Sequence, residues 1–574
     1  MPPATLRATD QPGARHPVTV IIGGVAGGMS AATRLRRLDE EREIVVLERS
    51  GAVSFANCGL PYHVSGVIAD RDELALQDPA RLAARFRIDA RVETEAIAID
   101  PVAKTVTVRP ARGGAEERIS YDELVLSPGA TPRRPERVAA DAPLHTLRTL
   151  DDLDAIMLTV AGLPARARAV VIGAGYVGIE LADNLHRRGI ATTIVQPGTG
   201  LLGLDAEMAA PLIDHVRAVG VAVELGRRAV RVERDRVVLS DDTVLPADLV
   251  IAAMGVVPES GLARAAGLEL GPGGGIVVDE FHRTSDPSIF AVGDVAEKHD
   301  LVDGSPRLIA LAGLANRHGR AVADTIAGTP APAAPALGTA IIDVVGRTAA
   351  KTGWTEDVAR ARGRDIRVIH THPLSHAGYF PGAQPMSLKL VVDAATDRIL
   401  GAQAVGSDGV DTRLDIIATA MAAGLTASSL ADLELAYAPQ YGAAKDPVNL
   451  LGYIDRNLAS GEDRVLQWHE LDAAIAAGAV FLDVRAEGQL AEGTIPGATW
   501  IPVEQLRERH HEFAGRPIVV HCRVGQGAHT AARLLARLGH DVRNLDGGYL
   551  TWRDGERARA LEREADAAAS ARAA

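Results

Sequence analysis

Twice in this chain a short apolar strand runs straight into a glycine-rich turn and a helical pattern, and that arrangement leaves few folds open. Val18–Ile22 leads into Gly23-Gly24-Val25-Ala26-Gly27-Gly28, and a second strand, Glu43–Leu47, ends at Glu48. Ala169–Ile172 leads into Gly173-Ala174-Gly175-Tyr176-Val177-Gly178, a helix through about Arg188 and a strand over Ala191–Val195. Glycines let the chain turn tightly and bring a helix N-terminus, with its exposed N–H groups and dipole, up to a pyrophosphate. Two such units predict two doubly wound nucleotide-binding lobes.

A chain of 574 residues has room for several domains, at about 100–200 residues each. Its net charge of −13 argues against a nucleic-acid footprint or a polybasic membrane patch. No apolar run approaches the roughly 18–20 residues of a membrane span. Met1–His16 lacks the apolar centre of a signal peptide, so residues 1–17 are expected to be a flexible tail and the location cytoplasmic. There are two cysteines, Cys58 and Cys522, which rules out a disulfide scaffold and any all-cysteine metal site. No metal is expected.

The first turn departs from the simplest fingerprint, with Val25 in place of the middle glycine. Glu48 closes the second strand, where an acid bonds a ribose hydroxyl. Far downstream, Ser288–Asp294 supplies a strand ending in Gly293-Asp294, which could be a helix cap but reads better as a flavin contact. Together these predict FAD at the first turn. The second turn matches the full fingerprint and is followed by Glu180, which predicts a nicotinamide dinucleotide. Its second strand ends at Gln196 rather than at an acid, with no Arg or Lys directly after it. That leaves NADH against NADPH open. Gly255–Pro258 is expected to close this lobe over the dinucleotide.

Ser54-Phe55-Ala56-Asn57-Cys58-Gly59-Leu60-Pro61-Tyr62 follows soon after Glu48. A helix starting after Cys58 would lower its thiol pKa, and the thiolate is what attacks disulfides and persulfides. With no neighbouring cysteine, Cys58 must store oxidising equivalents as a mixed disulfide, a persulfide or a sulfenic acid.

On these residues the chain resembles the coenzyme A disulfide reductases and their relatives, the persulfide and polysulfide reductases. The likeness extends through Tyr121–Pro132, Leu311–Arg320, His376–Ala383 and Tyr437–Asn449, nearly everything from Val18 to Tyr453. It implies an α/β two-dinucleotide-binding flavoprotein with an α+β dimerisation domain, passing electrons from NAD(P)H to FAD to one cysteine. It implies a homodimer whose interface domain reaches into the partner's site. Tyr437 would then approach the flavin and Cys58 of the other subunit, with Tyr379 and Tyr441 nearby. Arg49, Asn57, Pro128 and Gly129 join the expected flavin set. Ser30, Arg34, Arg37, Ser54, Asn57, Arg85, Asn316 and Lys445 are the expected substrate set, its cations suited to coenzyme A phosphates. Without the resemblance, Arg34 and Arg37 would read as a solvated helix face and the tyrosines as ordinary core residues.

The last unit carries Val480–Arg485, Thr494–Ala498, Ile518–Cys522 and Asn544–Trp552, with strands expected at Ala479–Leu482 and Pro517–His521. These segments resemble a single rhodanese domain. Cys522 lies between a strand and a helix, and the loop from Arg523 to His529 (with Val524, Gly525, Gln526 and Gly527) is expected to wrap N–H groups around its sulfur. Related fusions carry an Arg-Gly pair where this chain has Gly527-Ala528, which weakens the anion cradle. Arg523 or His529 is the candidate to compensate.

The expected layout is a discontinuous FAD lobe over residues 18–141 and 269–332 and a nicotinamide lobe over 142–268. An interface domain over 333–455, a linker at 456–463, a rhodanese-like domain over 464–558 and a tail over 559–574 follow. That tail is expected to be either an exposed helix or disordered. The expected reaction takes sulfane sulfur in at Cys522 and reduces coenzyme A persulfide or polysulfide at Cys58. The competing readings are a coenzyme A disulfide reductase with an accessory rhodanese domain, an NADH oxidase or peroxidase, and a sulfur-binding sensor.

Overall fold

Strands buried on both faces need apolar residues at every position, and Val18–Ile22 is buried throughout. In the computed structural model, which describes residues 15–570 apart from residue 331, this strand lies at the centre of a five-stranded parallel sheet. The order is Ile289–Ala291, Glu123–Leu126, Val18–Ile22, Glu43–Leu47, Asp89–Arg91. The second sheet repeats the plan with Leu144–His145, Leu249–Ala252, Arg168–Ile172, Ala191–Gln196 and Ala222–Leu225. In each sheet the strand order reverses beside the strand that feeds the glycine turn, where such sheets bind their ligands. The expected α/β two-dinucleotide architecture is therefore observed. The strand-rich stretches form antiparallel additions to the lobes, Thr94–Asp100 with Thr105–Pro110 and Ala229–Val232 with Arg236–Leu239.

Gly255 follows Ala253 and Met254, which abut the Gly173 turn of the second lobe, and a Cβ on Gly255 would meet nothing within 4 Å. Val256–Pro258 pairs antiparallel with Ala130–Pro132 and so ties the second lobe back to the first.

The third unit is a five-stranded antiparallel sheet, ordered Ala340–Val344, Arg347–Gly353, Ile399–Gly406, Met386–Asp393, Ile366–Thr371. The helices Val410–Ala422 and Pro447–Ala459 pack with it. The expected linker at 456–463 is shorter than that, because the helix runs on to Ala459. The fourth unit is a parallel sheet with Ile518–His521 at its centre, flanked by Val542–Leu545 and Val480–Asp483.

The C-terminal segment corrects a second expectation. A helix runs unbroken over Gly548–Ser570, and Ala558, Leu561 and Ala565 are buried against the second lobe's core. Alanine and leucine at this spacing give the helix one apolar face. Arg557 holds Asp214 at 2.6 Å and Arg217 holds Glu564 at 2.6 Å, both across to the helix Ala206–Ala218. Residues 1–14 of the expected N-terminal tail and 571–574 of the C-terminal one lie outside the described residues.

A buried charged node fixes the fourth unit to the others. His370 Nδ1 meets Asp546 at 2.7 Å, and its Nε2 meets Glu207 at 3.1 Å. Lys389 lies 2.9 Å from Asp205, 2.5 Å from Glu207 and 2.8 Å from Glu356. Three units of the chain meet there. Its carboxylates Asp205, Glu207 and Glu356 stand close enough to bind a cation, but the Lys389 ammonium occupies their centre. Burial alone would depress the His370 pKa, yet the bonds to Asp546 and Glu207 outweigh it and push it up to about 9. A raised folded pKa makes protonation stabilising below the ordinary 6.5, and that contribution is lost as pH rises through 9. Thermal unfolding followed from pH 6 to 10 should therefore show a loss of stability across this window. His370→Gln should flatten that loss, and an identical slope in the variant would refute the assignment.

Candidate active site

The first fingerprint helix, Ala26–Leu38, begins at Val25 with no side-chain cap on its leading N–H groups. Gly23 has φ +101, and a Cβ there would collide with the Ser127 carbonyl, so only glycine fits the turn. Val25 sits at φ −112, on the negative side of φ, so the left-handed backbone that demands glycine is not needed at this position. Buried Glu48 accepts from Gly24 N at 2.9 Å and from Ser50 N at 2.9 Å, so its first task is to hold the turn.

The second lobe repeats that bond with a neutral group. Gln196 Oε1 accepts from Ala174 N at 3.1 Å. The helix Tyr176–Arg187 starts at Gly175, again uncapped, and a Cβ on Gly175 would meet nothing within 4 Å. Two uncapped helix ends, one facing an open cradle beside a glycine, fit two pyrophosphates. Gly24, Val25, Ala26, Gly27, Gly28 and Glu48 would hold FAD. Gly173, Gly175, Tyr176, Val177, Gly178 and Gln196 would hold the nicotinamide dinucleotide.

Asp294 follows Gly293, whose φ is +76, in a short 3-10 turn, and is paired with Arg148. Arg148 was not foreseen. Gly129 also abuts it, since a Cβ on Gly129 would lie 3.1 Å from Arg148 Nη2, and the backbone carbonyl of Arg148 accepts from Asn57 Nδ2 at 3.3 Å. Arg148 therefore gathers Asp294, Gly129 and Asn57 around one guanidinium and its backbone. Pro128 precedes Gly129 in the same loop. Arg49 is largely exposed, 3.8 Å from Glu259.

Cys58 sits in the 3-10 turn Asn57–Gly59, just before a helix of only six residues, Leu60–Ser65. The expectation of a lowered thiol pKa fails here. Desolvation by the crowded protein around its sulfur and the charge of Glu180 push the Cys58 thiol up, against a smaller lowering by Arg148. Glu180, placed by sequence with the dinucleotide turn, instead accepts from Tyr62 Oη at 3.2 Å. Burial raises the Glu180 carboxyl, and burial together with Glu180 pushes Tyr62 up to about 12.

The expected substrate residues divide. Ser30 Oγ donates to Asn316 Oδ1 at 2.7 Å, which brings two of them together. Arg34 is corrected: it is bound to Asp324 at 2.7 Å and is not free for a phosphate. Arg37 and Lys445 are exposed and make no ion pair among the described residues. Exposed Arg85 lies over the Phe86 ring at 5.3 Å. Ser54 holds a left-handed backbone, φ 47, and its N–H donates to Gly24 O at 2.8 Å. Tyr379 and Tyr437 share a 2.8 Å hydroxyl–hydroxyl bond that raises the Tyr437 pKa. Tyr379 is 76% exposed and Tyr441 75%, so they are on the outer surface of a single chain.

In the fourth unit, Cys522 is buried and its carbonyl accepts from Tyr549 N at 2.8 Å. The expected loop to His529 is shorter, because Gly525, at φ +91, already starts the helix Gln526–Arg537. Arg523 and Val524 are left to the loop proper, while Gln526 and Gly527 form the first helical turn. A Cβ on Gly527 would lie 3.5 Å from the Cys522 sulfur, so this helix end approaches the thiol closely. Neither candidate compensating cation is free. Arg523 is held by Glu492 at 2.7 Å and His529 by Asp463 at 2.6 Å. Buried Arg485 clamps the unit internally, 2.6 Å from Asp483 and over the Tyr549 ring.

Two dinucleotide lobes around one cysteine, an antiparallel interface sheet and a separate thiol loop define a two-dinucleotide oxidoreductase joined to a sulfur-transfer fold. Family models match accordingly: pyridine nucleotide-disulphide oxidoreductase over residues 18–319, its dimerisation domain over 344–446 and a rhodanese-like domain over 467–554. The coenzyme A disulfide reductase of Staphylococcus aureus (strain JH9) is 33% identical over 440 residues, covering 76% of this chain and 99% of that protein. The reduced Bacillus anthracis CoADR-RHD structure has TM-score 0.92 and 40% identity, covering 95% of this chain and 99% of that one. A NAD-dependent persulfide reductase from A. fulgidus has TM-score 0.86 and 35% identity, covering 93% of this chain and 100% of that one. The chain belongs to the pyridine nucleotide-disulphide oxidoreductases and, within them, to the coenzyme A disulfide reductase family with a C-terminal rhodanese domain. The family uses FAD and a pyridine nucleotide. Among the described residues, no helix is long and apolar enough to cross a membrane.

Proposed function

We propose that this enzyme uses NAD(P)H to reduce coenzyme A persulfide or polysulfide at Cys58, with sulfane sulfur entering through Cys522. The observation that carries this reading is that the chain's two cysteines occupy two separate sites, Cys58 in the first lobe and Cys522 in a fourth unit that the buried node around His370 and Lys389 fixes to the second and third units. A purely accessory module would not need so charged a junction.

The Cys58 thiolate attacks the inner sulfur of a persulfide. A Cys58–substrate disulfide forms, the S–S bond of the persulfide breaks, and hydrosulfide leaves. FAD, which the first fingerprint turn and Glu48 would hold, would supply the two electrons from NAD(P)H that reduce this mixed disulfide, so that Cys58 regains its thiolate and coenzyme A leaves as the thiol. Burial and the charge of Glu180 raise the Cys58 thiol, so its thiolate is a strong nucleophile once formed. Arg148 steadies that thiolate from the other side. In a homodimer, the exposed Tyr379–Tyr437 pair would offer a proton at the Tyr437 hydroxyl to the leaving sulfur of the partner's site. Lys445, Arg37 and Arg85, exposed and without an ion pair among the described residues, are candidate cations for coenzyme A phosphates.

A second reading, coenzyme A disulfide reduction with the rhodanese unit as accessory, is favoured by one observation. Arg523 and His529 are both ion-paired, so the Cys522 loop offers no free cation to an anionic donor such as thiosulfate. The test is anaerobic NADH and NADPH oxidation with coenzyme A disulfide, coenzyme A persulfide and polysulfide, with sulfide release followed in parallel. Fast persulfide turnover with sulfide release supports the proposal. Turnover on the disulfide alone supports the second reading. Turnover on none of them points to oxygen or peroxide as acceptor.

Cys522→Ser should abolish sulfur transfer from a persulfide donor to cyanide, by about a thousandfold or more for loss of a nucleophile. Reduction of coenzyme A persulfide added directly should stay within about twofold. A matching fall in both activities would show that the two cysteines work as one site.

A further inference from the structure

The end of the strand Ala191–Gln196 is where a dinucleotide lobe reads the adenosine ribose: an acid there bonds the 2′-hydroxyl of NAD and repels the 2′-phosphate of NADP. Gln196 carries no charge, and its oxygen is occupied by Ala174 N. The neighbouring cations do not take up the role. Arg227, on the loop after the next strand, is tied to Glu224 and Asp241. Arg228 is exposed but does not line the cavity that opens just beyond Gln196.

That cavity, of about 360 Å³, is walled on one side by Pro197, Gly198, Thr199 and Gly226 of the second lobe. Its other wall comes from the C-terminal helix: Glu562, Ala565 and Asp566. The contact is close and built. A Cβ on Gly226 would lie 2.6 Å from the Ala565 Cβ, so glycine at this position is what lets the helix approach. Arg217 holds Glu564 and Arg557 holds Asp214, pinning the helix along the lobe. Glu562 and Asp566, which flank Glu564, are exposed and make no ion pair among the described residues. Two uncompensated carboxylates thus stand at the mouth where the lobe's own acid is missing.

We propose that Glu562 and Asp566 select NADH over NADPH, a discrimination supplied from a helix outside the nucleotide lobe. It rests on the nicotinamide reading of the second lobe. The neutral ribose of NADH meets no penalty beside these carboxylates. A 2′-phosphate would stand close to both with no paired cation, and like charges at this range repel.

Two redox-inert probes test this by calorimetry on the full-length, FAD-loaded protein: ADP-ribose and 2′-phospho-ADP-ribose. At low ionic strength the wild type should bind ADP-ribose about tenfold or more tightly than its phosphorylated form, as expected of two nearby like charges. Raising salt to about 0.5 M should narrow that ratio, because these groups are exposed. Glu562→Gln/Asp566→Asn should bring it to about twofold by tightening the phosphorylated probe alone, with ADP-ribose unchanged. Both positions are solvent-facing, and the Arg217–Glu564 pair is left intact, so the variant should fold. A ratio that the double variant leaves unchanged, or equal binding by the wild type, overturns the proposal. Failure of both probes to bind would instead overturn the nicotinamide assignment of the lobe, and this inference with it.

Discussion

Cys58→Ser is expected to abolish NAD(P)H-driven reduction of coenzyme A persulfide, by about a thousandfold or more, while sulfur transfer at Cys522 continues within about twofold. Serine keeps the size of the side chain but lowers its nucleophilicity and cannot form the S–S bond the reaction requires. No second thiol can substitute, because the chain has only two cysteines and the other is buried in the fourth unit. The protein should still bind FAD, since Cys58 takes no part in either fingerprint turn. Sulfide release, nicotinamide oxidation and the flavin spectrum, measured on the same preparation, check the three parts together. Persulfide reduction that survived the substitution would remove Cys58 from the chemistry altogether.

Lys389→Met should be the most destabilising single substitution at the junction. Lys389 is fully buried, and its ammonium faces Asp205, Glu207 and Glu356, with Glu207 also bound to His370. Methionine would fill the space but leave three carboxylates, two of them buried, facing one another. Breaking such a cluster from one side costs about 3–5 kcal/mol. Glu207→Gln added to Lys389→Met should recover part of the loss, since it removes one of the stranded charges. Because the node joins three units, the variant should also open first there. Limited proteolysis would then release the fourth unit before the two lobes are cut. Unchanged thermal and proteolytic stability would mean that the node contributes nothing to holding the units together.

The fingerprint turns were legible because their code is local and steric. Gly23 and Gly28 are needed wherever a strand turns this tightly into a helix, and the residues that demand them lie within a few positions or on the adjoining strand. The same holds for the thiol loop, where Gly525 and Gly527 bring a helix end up to Cys522. What escaped was set by residues far apart in sequence. Arg148 meets Asp294, 146 positions away. Arg34 finds Asp324, 290 positions away. Arg557 finds Asp214, 343 positions away. No periodicity marks such pairs in advance. The direction of the Cys58 shift was missed for the same reason: a short helix dipole was visible in sequence, while the burial of the sulfur and the opposing Glu180 from the other lobe arise only in the fold.

The strand Ile289–Ala291 sits at the edge of the first sheet, beside Glu123–Leu126, while the whole second sheet is made of residues between them. On a ribosome delivering the chain N-terminus first, the first lobe's sheet therefore stays one strand short until the second lobe has already emerged. The second lobe, contiguous in sequence, is the unit able to complete its sheet first. Its finished surface then stands ready when the final strand of the older lobe arrives. The Gly548–Ser570 helix comes later still, so the second lobe is the first unit to close its sheet and the last to receive its outer layer.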